Sequence, residues 1–503
     1  MGSGIVFLVG AGPGDPGLLT LRGAELLAGA DVVIYDHLAN PQLLSHCPQA
    51  RKIYVGKQSS AHTMTQEAIN ELLVREGRAG NRVVRLKGGD PFIFGRGGEE
   101  CQELAAAGIA FEVVPGITAA VAAAAYAGIP VTHREFNSSF TLITGHEQEG
   151  GEGEIDWANV ARLPCVAFYM GVKSLERICA KLIEHGKSAA TPAASIQWGT
   201  TPKQRTVLAT LADLPVQVAA AKLGPPAITI VGEVVKLRSS LNWFETRPFF
   251  GQSIVVTRTR QQASDLTRKL LNLGAAIIEA PTIELTPPKD WSSVDEALRS
   301  AARFDWIVFT SANGVAFAKK RLLEIGLDAR ALGAAKIAAI GPATAAAVTA
   351  ELALRVDLLP RQFVAEALAD ELIARDGVKG RRFLLLRADI ARPILVEKLL
   401  AAGAAEARDV AVYETQPAST LPAELTEALD AARVTWITFA SGGTARHFTA
   451  LLGDDYRRRL AGVKIASIGP ITSAALRELG LHPTVQAETF DIDGLVSAMV
   501  RFT

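Results

Sequence analysis

The chain has 503 residues, 49% of them hydrophobic and 21% charged, which predicts a soluble globular protein of three or four domains. Lys plus Arg and Asp plus Glu both total 52, so the formal net charge is zero; this excludes nucleic acid or an anionic membrane as a bulk partner, and an acidic ligand must be met by local clusters. Cys47, Cys101, Cys165 and Cys179 have no paired spacing and no metal-ligand pattern with histidines, which argues against a disulfide framework or a bound metal and fits a reducing cytoplasm.

In chain order, the apolar run Val6–Val9 stops at Gly10, too short and without the basic flank of a signal segment. It enters Gly10-Ala11-Gly12-Pro13-Gly14-Asp15-Pro16-Gly17, which superficially starts a dinucleotide fingerprint. Pro13 removes one amide, and Asp15 puts a negative charge where a phosphate would sit, so NAD binding is disfavoured. Asp36 follows the strand Val32–Tyr35, and Lys57 follows Ile53–Val55; both stand at carboxyl ends, where such sheets bind ligands. The alternatives are a helix-capping Asp36 and a solvated Lys57.

Residues 83–100, VVRLKGGDPFIFGRGGEE, are the most specific stretch. Val83–Leu86 reads as a buried strand, and Lys87-Gly88-Gly89-Asp90-Pro91 as a loop that continues neither strand nor helix. Bare glycine backbone with one carboxylate suits a cationic, nucleoside-bearing ligand better than a polyphosphate, although an isolated GGD is equally an ordinary turn. Two further loops share this grammar: Val113-Val114 into Pro115-Gly116-Ile117-Thr118-Ala119, and Cys165–Tyr169 into Met170-Gly171. The Ala-rich run 119–127 is too short to span a bilayer and predicts a buried helix ended by Gly128 and Pro130.

GAGPGDPGLLT, YDHL, GKQSSAH, VVRLKGGDPFIFGRGGEE, VVPGITAA, AGIPVTHR, FYMG and PPAITIVGEVV follow one another in the order of the uroporphyrinogen-III C-methyltransferases, which residues 4–245 resemble almost without a break. One departure is Gly56-Lys57-Gln58, where an arginine usually follows the lysine. The resemblance implies a tetrapyrrole-methylase fold of two α/β subdomains (1–134 and 135–245) and methyl transfer from S-adenosylmethionine to two pyrrole carbons, giving precorrin-2. It gives Asp36 and Lys57 acid–base roles. Cofactor contacts fall on Pro13, Gly88, Gly89, Asp90, Ile93, Thr118, Ala119, Met170, Gly199 and Ala227. The substrate's carboxylates suit cationic donors, for which Arg96, His133 and Arg134 are the local cluster; each alone is also readable as a surface charge or a structural histidine. A homodimer through this half is expected.

After a linker at 246–250 the chain repeats itself. Residues 253–281 resemble 383–413, Asp305–Ser311 resembles Thr435–Ser441, and Lys336–Thr344 resembles Lys464–Thr472, at separations of 128 to 130 residues. Short apolar strands alternate with helices such as Asp265–Leu273, ended by Gly274, so two copies of a parallel α/β unit are predicted. Hydroxyls stand at the strand ends in Thr310–Gly314, Gly341–Thr344, Ser441–Thr444 and Gly469–Thr472. Each reads as a helix cap, and four together as one ligand crevice. There is no Ser–His–Asp order, carboxylate pair or metal spacing, so catalysis here must come from binding shape and hydrogen bonding, or be absent.

VVTR, IVFTSANGV, AIGPAT, LLPRQFVAEAL, DVAVYET, TFASGGT and SIGPITSAAL make residues 251–503 resemble uroporphyrinogen-III synthase. That implies one lobe from 251–283 plus 415–503, a second from 286–412, and closure of hydroxymethylbilane with inversion of its last ring. Thr344 and Tyr413 match positions near the substrate, with Tyr413 in a catalytic role, and Ser311, Ser441 and Thr472 join Thr344 as expected substrate contacts. The product of this half is the substrate of the other. The rival readings are another S-adenosylmethionine-dependent corrin methyltransferase and a C-terminal half that only binds tetrapyrroles. No dehydrogenase–ferrochelatase module is read in the sequence, so oxidation and iron insertion are expected from another protein.

Overall fold

The computed structural model describes residues 4–56, 64–145, 155–257 and 260–503, except the side chains of 260–264 and 376. It has two compact units, Met1–Gln252 with Leu271–Ala276, and Ser253–Leu270 with Ile277–Thr503.

The first unit holds two five-stranded sheets. One contains β1 (Ile5–Gly10), β2 (Val32–Tyr35), β3 (Arg51–Tyr54), β4 (Arg82–Lys87) and β5 (Ala110–Val114), all parallel, in the order β3-β2-β4-β1-β5. Its central strands are buried on both faces, as a parallel sheet requires, and apolar apart from Arg85 and Lys87 on β4. The helices of this unit include α1 (Gln66–Arg78) and α2 (Gly97–Ala106). The Ala-rich run forms α3 (Ala119–Tyr126), with Ala120, Ala123 and Ala124 buried and Gly128 at φ +71° after it. The second sheet, β6 (Thr141–Thr144), β7 (Cys165–Tyr169), β8 (Pro192–Gln197), β9 (Arg205–Thr210) and β10 (Ala227–Gly232), is mixed, in the order β6-β7-β10-β8-β9. All four cysteines are free and buried.

The second unit also has two sheets. β11 (Ser253–Val256) and β12 (Ala276–Glu279) belong to one, and β13 (Ile283–Thr286), β14 (Trp306–Phe309), β15 (Lys336–Ala339), β16 (Arg382–Ala388) and β17 (Glu406–Pro417) form the other. The chain then returns to complete the first with β18 (Trp436–Phe439), β19 (Lys464–Ser467) and β20 (Val485–Gln486). Ile283–Thr286 pairs antiparallel with Glu414–Pro417, so the two chain crossings lie side by side as a ribbon. The repeated segments take equivalent places: β14 pairs parallel with β15 as β18 does with β19. The helices that follow are α4 (Ala312–Glu324), α5 (Pro342–Leu352), α6 (Gly442–Leu452) and α7 (Pro470–Glu478).

Candidate active sites

In the first unit, three loops at the carboxyl ends of β1, β4 and β5 meet backbone to backbone. Gly12 and Gly89 exchange amide hydrogen bonds (3.2 and 2.8 Å). A Cβ on Gly10 would come within 2.4 Å of the Gly116 backbone, so only glycine allows this approach. Gly89 has φ +67°, and a Cβ there would reach nothing nearer than 4.0 Å, from Thr118 and Ala119. The space beside Gly89 is thus open and edged by residues expected to hold the cofactor. Gly88 lies against Leu38, and Gly199 against Ala123.

The second sheet closes on these loops. Tyr169, at the end of β7, places its hydroxyl 2.5 Å from Thr118 Oγ1 and accepts the Ala120 amide at 2.9 Å. Thr118 is the N-cap of α3 without capping it by its side chain; the tyrosine does so instead. Thr200 Oγ1 accepts the Asp15 amide at 3.0 Å, and Tyr126 donates to Asp15 Oδ2 at 2.7 Å. Asp15 therefore braces the loop around Pro13. Phe94, Arg96, Met170, Trp198 and Thr200 all have positive φ, an uncommon conformation for non-glycine residues that concentrates at ligand sites. Ile93 is half-buried, Met170 is exposed, and Ala227 pairs with Gln197 in the sheet.

Two sequence expectations change here. Asp90 does not offer a free carboxylate: Oδ1 accepts the Phe92 amide (2.8 Å) and Oδ2 the Gly116 amide (2.9 Å). It ties two loops together. Among the described residues no hydrogen bond or ion pair joins the expected cluster of Arg96, His133 and Arg134. Arg96 is paired with Glu99 at 2.5 Å, while His133 Nδ1 accepts the Glu135 amide at 3.2 Å and its ring packs on Phe136; Arg134 is exposed.

Asp36 caps no helix; Oδ1 accepts the Leu38 amide at 3.1 Å in a local turn, and Oδ2 meets Arg85 Nη2 at 3.2 Å. Lys57 lies outside the described residues. Beneath Asp36 is a charged group that the apolar reading of Val83–Leu86 missed. Arg85 and Lys87 are buried and both contact Glu100 Oε1, at 3.4 and 2.7 Å. The signal was present: two basic residues two positions apart fall on one face of a strand.

In the second unit, the phenol of Tyr413 lies 3.0 Å from Ser311 Oγ, and its ring stacks on Phe317. Burial pushes this phenol above its usual pKa, with the Ser311 hydrogen bond opposing, so it keeps its proton at neutral pH and has one to donate. Ser311 and Ser441 cap α4 and α6 by accepting the Gly314 and Thr444 amides. Thr344 and Thr472 are not caps; they are buried in the first turns of α5 and α7, whose N-caps are Gly341 and Gly469. Among the described residues no hydrogen bond joins Thr344, Ser441 or Thr472 to the Tyr413–Ser311 pair.

Crossing loops at carboxyl strand ends in the first unit, and a duplicated α/β pair of lobes in the second, define a two-part α/β enzyme. Residues 6–215 match the family model of tetrapyrrole (corrin/porphyrin) methylases, and residues 264–497 that of uroporphyrinogen-III synthase HemD. A "Porphyrin biosynthesis protein HemD" from Ruminiclostridium josui is 38% identical over 503 residues, all of this chain and 98% of its own. The "Uroporphyrinogen-III C-methyltransferase" of Bacillus subtilis (strain 168) is 44% identical over 337 residues, 66% of this chain and 69% of its own. The "Siroheme synthase" of Azotobacter vinelandii is 56% identical over 246 residues, 48% of this chain; the match spans 53% of that protein's length. The chain therefore belongs to the tetrapyrrole-biosynthesis family in which a uroporphyrinogen-III C-methyltransferase domain is fused to a uroporphyrinogen-III synthase domain.

Proposed function

We propose that the C-terminal unit closes hydroxymethylbilane to uroporphyrinogen III and that the N-terminal unit methylates this product twice, using S-adenosylmethionine, to precorrin-2. The observation that carries the reading is the open, glycine-edged space at Gly89 beside Thr118 and Ala119. Bare backbone there leaves room for a nucleoside, and the loops have no Lys or Arg cluster of the kind a polyphosphate needs.

The cofactor supplies a methyl group already activated on a sulfonium, so this chain's task is alignment and an apolar approach. Gly88, Gly89, Thr118, Ala119, Met170 and Gly199 would hold it, with Asp90 and Tyr169 fixing the loops. Methylation of a pyrrole carbon that already bears a side chain leaves the ring cationic, and loss of a proton from the ring nitrogen or an adjacent bridging carbon restores neutrality. Asp36 stands at a strand end as the acceptor, and Lys57 is the second acid–base group. Arg96, His133 and Arg134 would meet substrate carboxylates, Arg96 after exchanging Glu99 for the ligand.

In the other unit, loss of the hydroxymethyl oxygen leaves a stabilised cation, and the protein must fold the bilane for one closure. Tyr413, supported by Ser311, would donate to the departing hydroxyl; Thr344, Ser441 and Thr472 would contact the chain of pyrroles. The siroheme synthase relative supports a route to sirohaem; cobalamin shares the same intermediate. A homodimer through the N-terminal unit and a cytoplasmic location belong to this reading. No described helix is long and apolar enough to cross a membrane.

The test uses the full chain. Hydroxymethylbilane alone should yield uroporphyrinogen III, and adding S-adenosylmethionine should carry it to a dimethylated product. Formation of only the I isomer would make the C-terminal unit a binding module, and methylation of a later corrin but not uroporphyrinogen III would reassign the N-terminal one.

A further inference from the structure

Four ionisable side chains form one continuous chain of contacts, of which the proposed chemistry uses only Asp36. Arg85, with side-chain exposure of 4%, reaches Asp36 Oδ2 through Nη2 (3.2 Å) and Glu100 Oε1 through Nε (3.4 Å). Its Nη1 donates to the Leu86 carbonyl at 3.2 Å. Glu100 is fully buried; Lys87 Nζ (2.7 Å) and Gln66 Nε2 (3.2 Å) also donate to Oε1, while Oε2 has no partner among the described residues. Burying a carboxylate is costly even when it is paired, and a well-packed apolar group would serve the fold at least as well. Fold stability alone does not explain this arrangement.

We propose that Glu100 and Lys87 are positioning residues for Asp36, holding the Arg85 guanidinium in place beside its carboxylate and balancing the charge that Arg85 brings there. This rests on the acid–base reading of Asp36 and adds two residues to it. The guanidinium is a rigid plane, so fixing Nε also sets the direction of Nη2. With two carboxylates and two cations the group is neutral. Without the charge of Glu100, Arg85 and Lys87 would face Asp36 alone, stabilise its anion and weaken it as a base. Without the charge of Lys87 the balance tips the other way.

Among the described residues the charged surroundings are few. From α2 come Glu99, paired with Arg96, and Cys101; α1 contributes Gln66 and Glu67; β2 is followed by the exposed His37. Burial and Arg85 depress the pKa of Lys87, while Glu100 and Asp36 oppose that shift, so Glu100 helps keep the lysine charged.

The experiment measures kcat and KM against pH for methylation of uroporphyrinogen III by the full chain. Glu100→Gln should move the acid limb of the kcat profile down by about half a pH unit or more, and lower the plateau about tenfold. KM for S-adenosylmethionine should change less than about threefold. Lys87→Met should move the limb up. The Glu100→Gln/Lys87→Met double variant, neutral again, should return it toward the wild-type position. Unmoved limbs in both single variants, or a double variant no closer to wild type than either, would overturn the proposal. If Glu100→Gln does not fold, the upward shift in Lys87→Met decides alone. Asp36→Asn, run alongside, separates the two levels. Full turnover by that variant removes the acid–base reading and this proposal with it; lost turnover with unmoved Glu100 and Lys87 limbs removes only the proposal.

Discussion

Asp90 Oδ2 accepts the backbone amide of Gly116 at 2.9 Å, across 26 residues of sequence. Its other oxygen holds Phe92, so one carboxylate locks the loop after β4 to the loop after β5. Asp90→Asn keeps one acceptor and loses the charge that strengthens both bonds. It should lower stability by roughly 1–2 kcal/mol and weaken cofactor binding severalfold, as read by thermal unfolding and by titration calorimetry with S-adenosylhomocysteine.

Gly89→Val should abolish cofactor binding, because the branched side chain would enter the open space beside Thr118. At φ +67° it also strains the backbone. Gly89→Ala separates the two effects: it meets nothing within 4.0 Å, so strain costs only about 1–2 kcal/mol, yet binding should still fall at least about tenfold if a ligand occupies that space. Ring closure by the other unit is the control for both variants. Unchanged affinity in Gly89→Val would remove the loop from the cofactor site.

Asp36→Asn is nearly isosteric and retains an acceptor for the Leu38 amide, so fold and cofactor binding should persist. Methylation should drop by a factor of about 100 or more, the range of a lost general base. Single-turnover rates at saturating substrate decide this, because turnover limited by product release would hide the effect.

Tyr413→Phe removes a buried hydroxyl from its hydrogen bond with Ser311. Enzymatic closure should slow by the equivalent of roughly 1.5–3 kcal/mol, the value of a hydrogen bond to a charged group, and more uroporphyrinogen I should form by spontaneous closure. Ser311→Ala should reproduce part of this loss, since it leaves the phenol in place without its partner. An unchanged I-to-III ratio, measured chromatographically after oxidation, would make Tyr413 a packing residue.

Burial raises the thiols of Cys165 and Cys179 from 9.0 to about 11 and about 12. In that interval the unfolded chain releases protons that the folded chain retains, so their contribution is complete below about pH 9 and is lost as pH rises through the folded values. The melting temperature of the N-terminal unit should therefore fall above pH 9, and Cys179→Ala should make the fall shallower. Both thiols should resist alkylation at pH 8 until the protein unfolds.

The sequence by itself determined the α/β class, the strand-end loops and the internal duplication, because each is written in local pattern: apolar runs of strand length, glycine at loops, and a repeated segment at constant spacing. It also placed Asp36 just past a strand end, which requires only knowing where a strand stops; Tyr413, expected at a strand end as well, instead lies inside β17, where its pairing passes from β16 to β13. Tertiary structure alone decided what those side chains touch. Asp90 looked like a presented anion because its amide partner at Gly116 is distant in sequence. Arg96, His133 and Arg134 were grouped because a substrate rich in carboxylates calls for cationic donors, whereas Arg96 is neutralised by Glu99 on the first turn of its own helix. Arg85, Lys87 and Glu100 were hidden in an otherwise apolar strand and the helix after it. Their meeting depends on how α2 packs against β4, and burial then turns three ordinary charges into a coupled group.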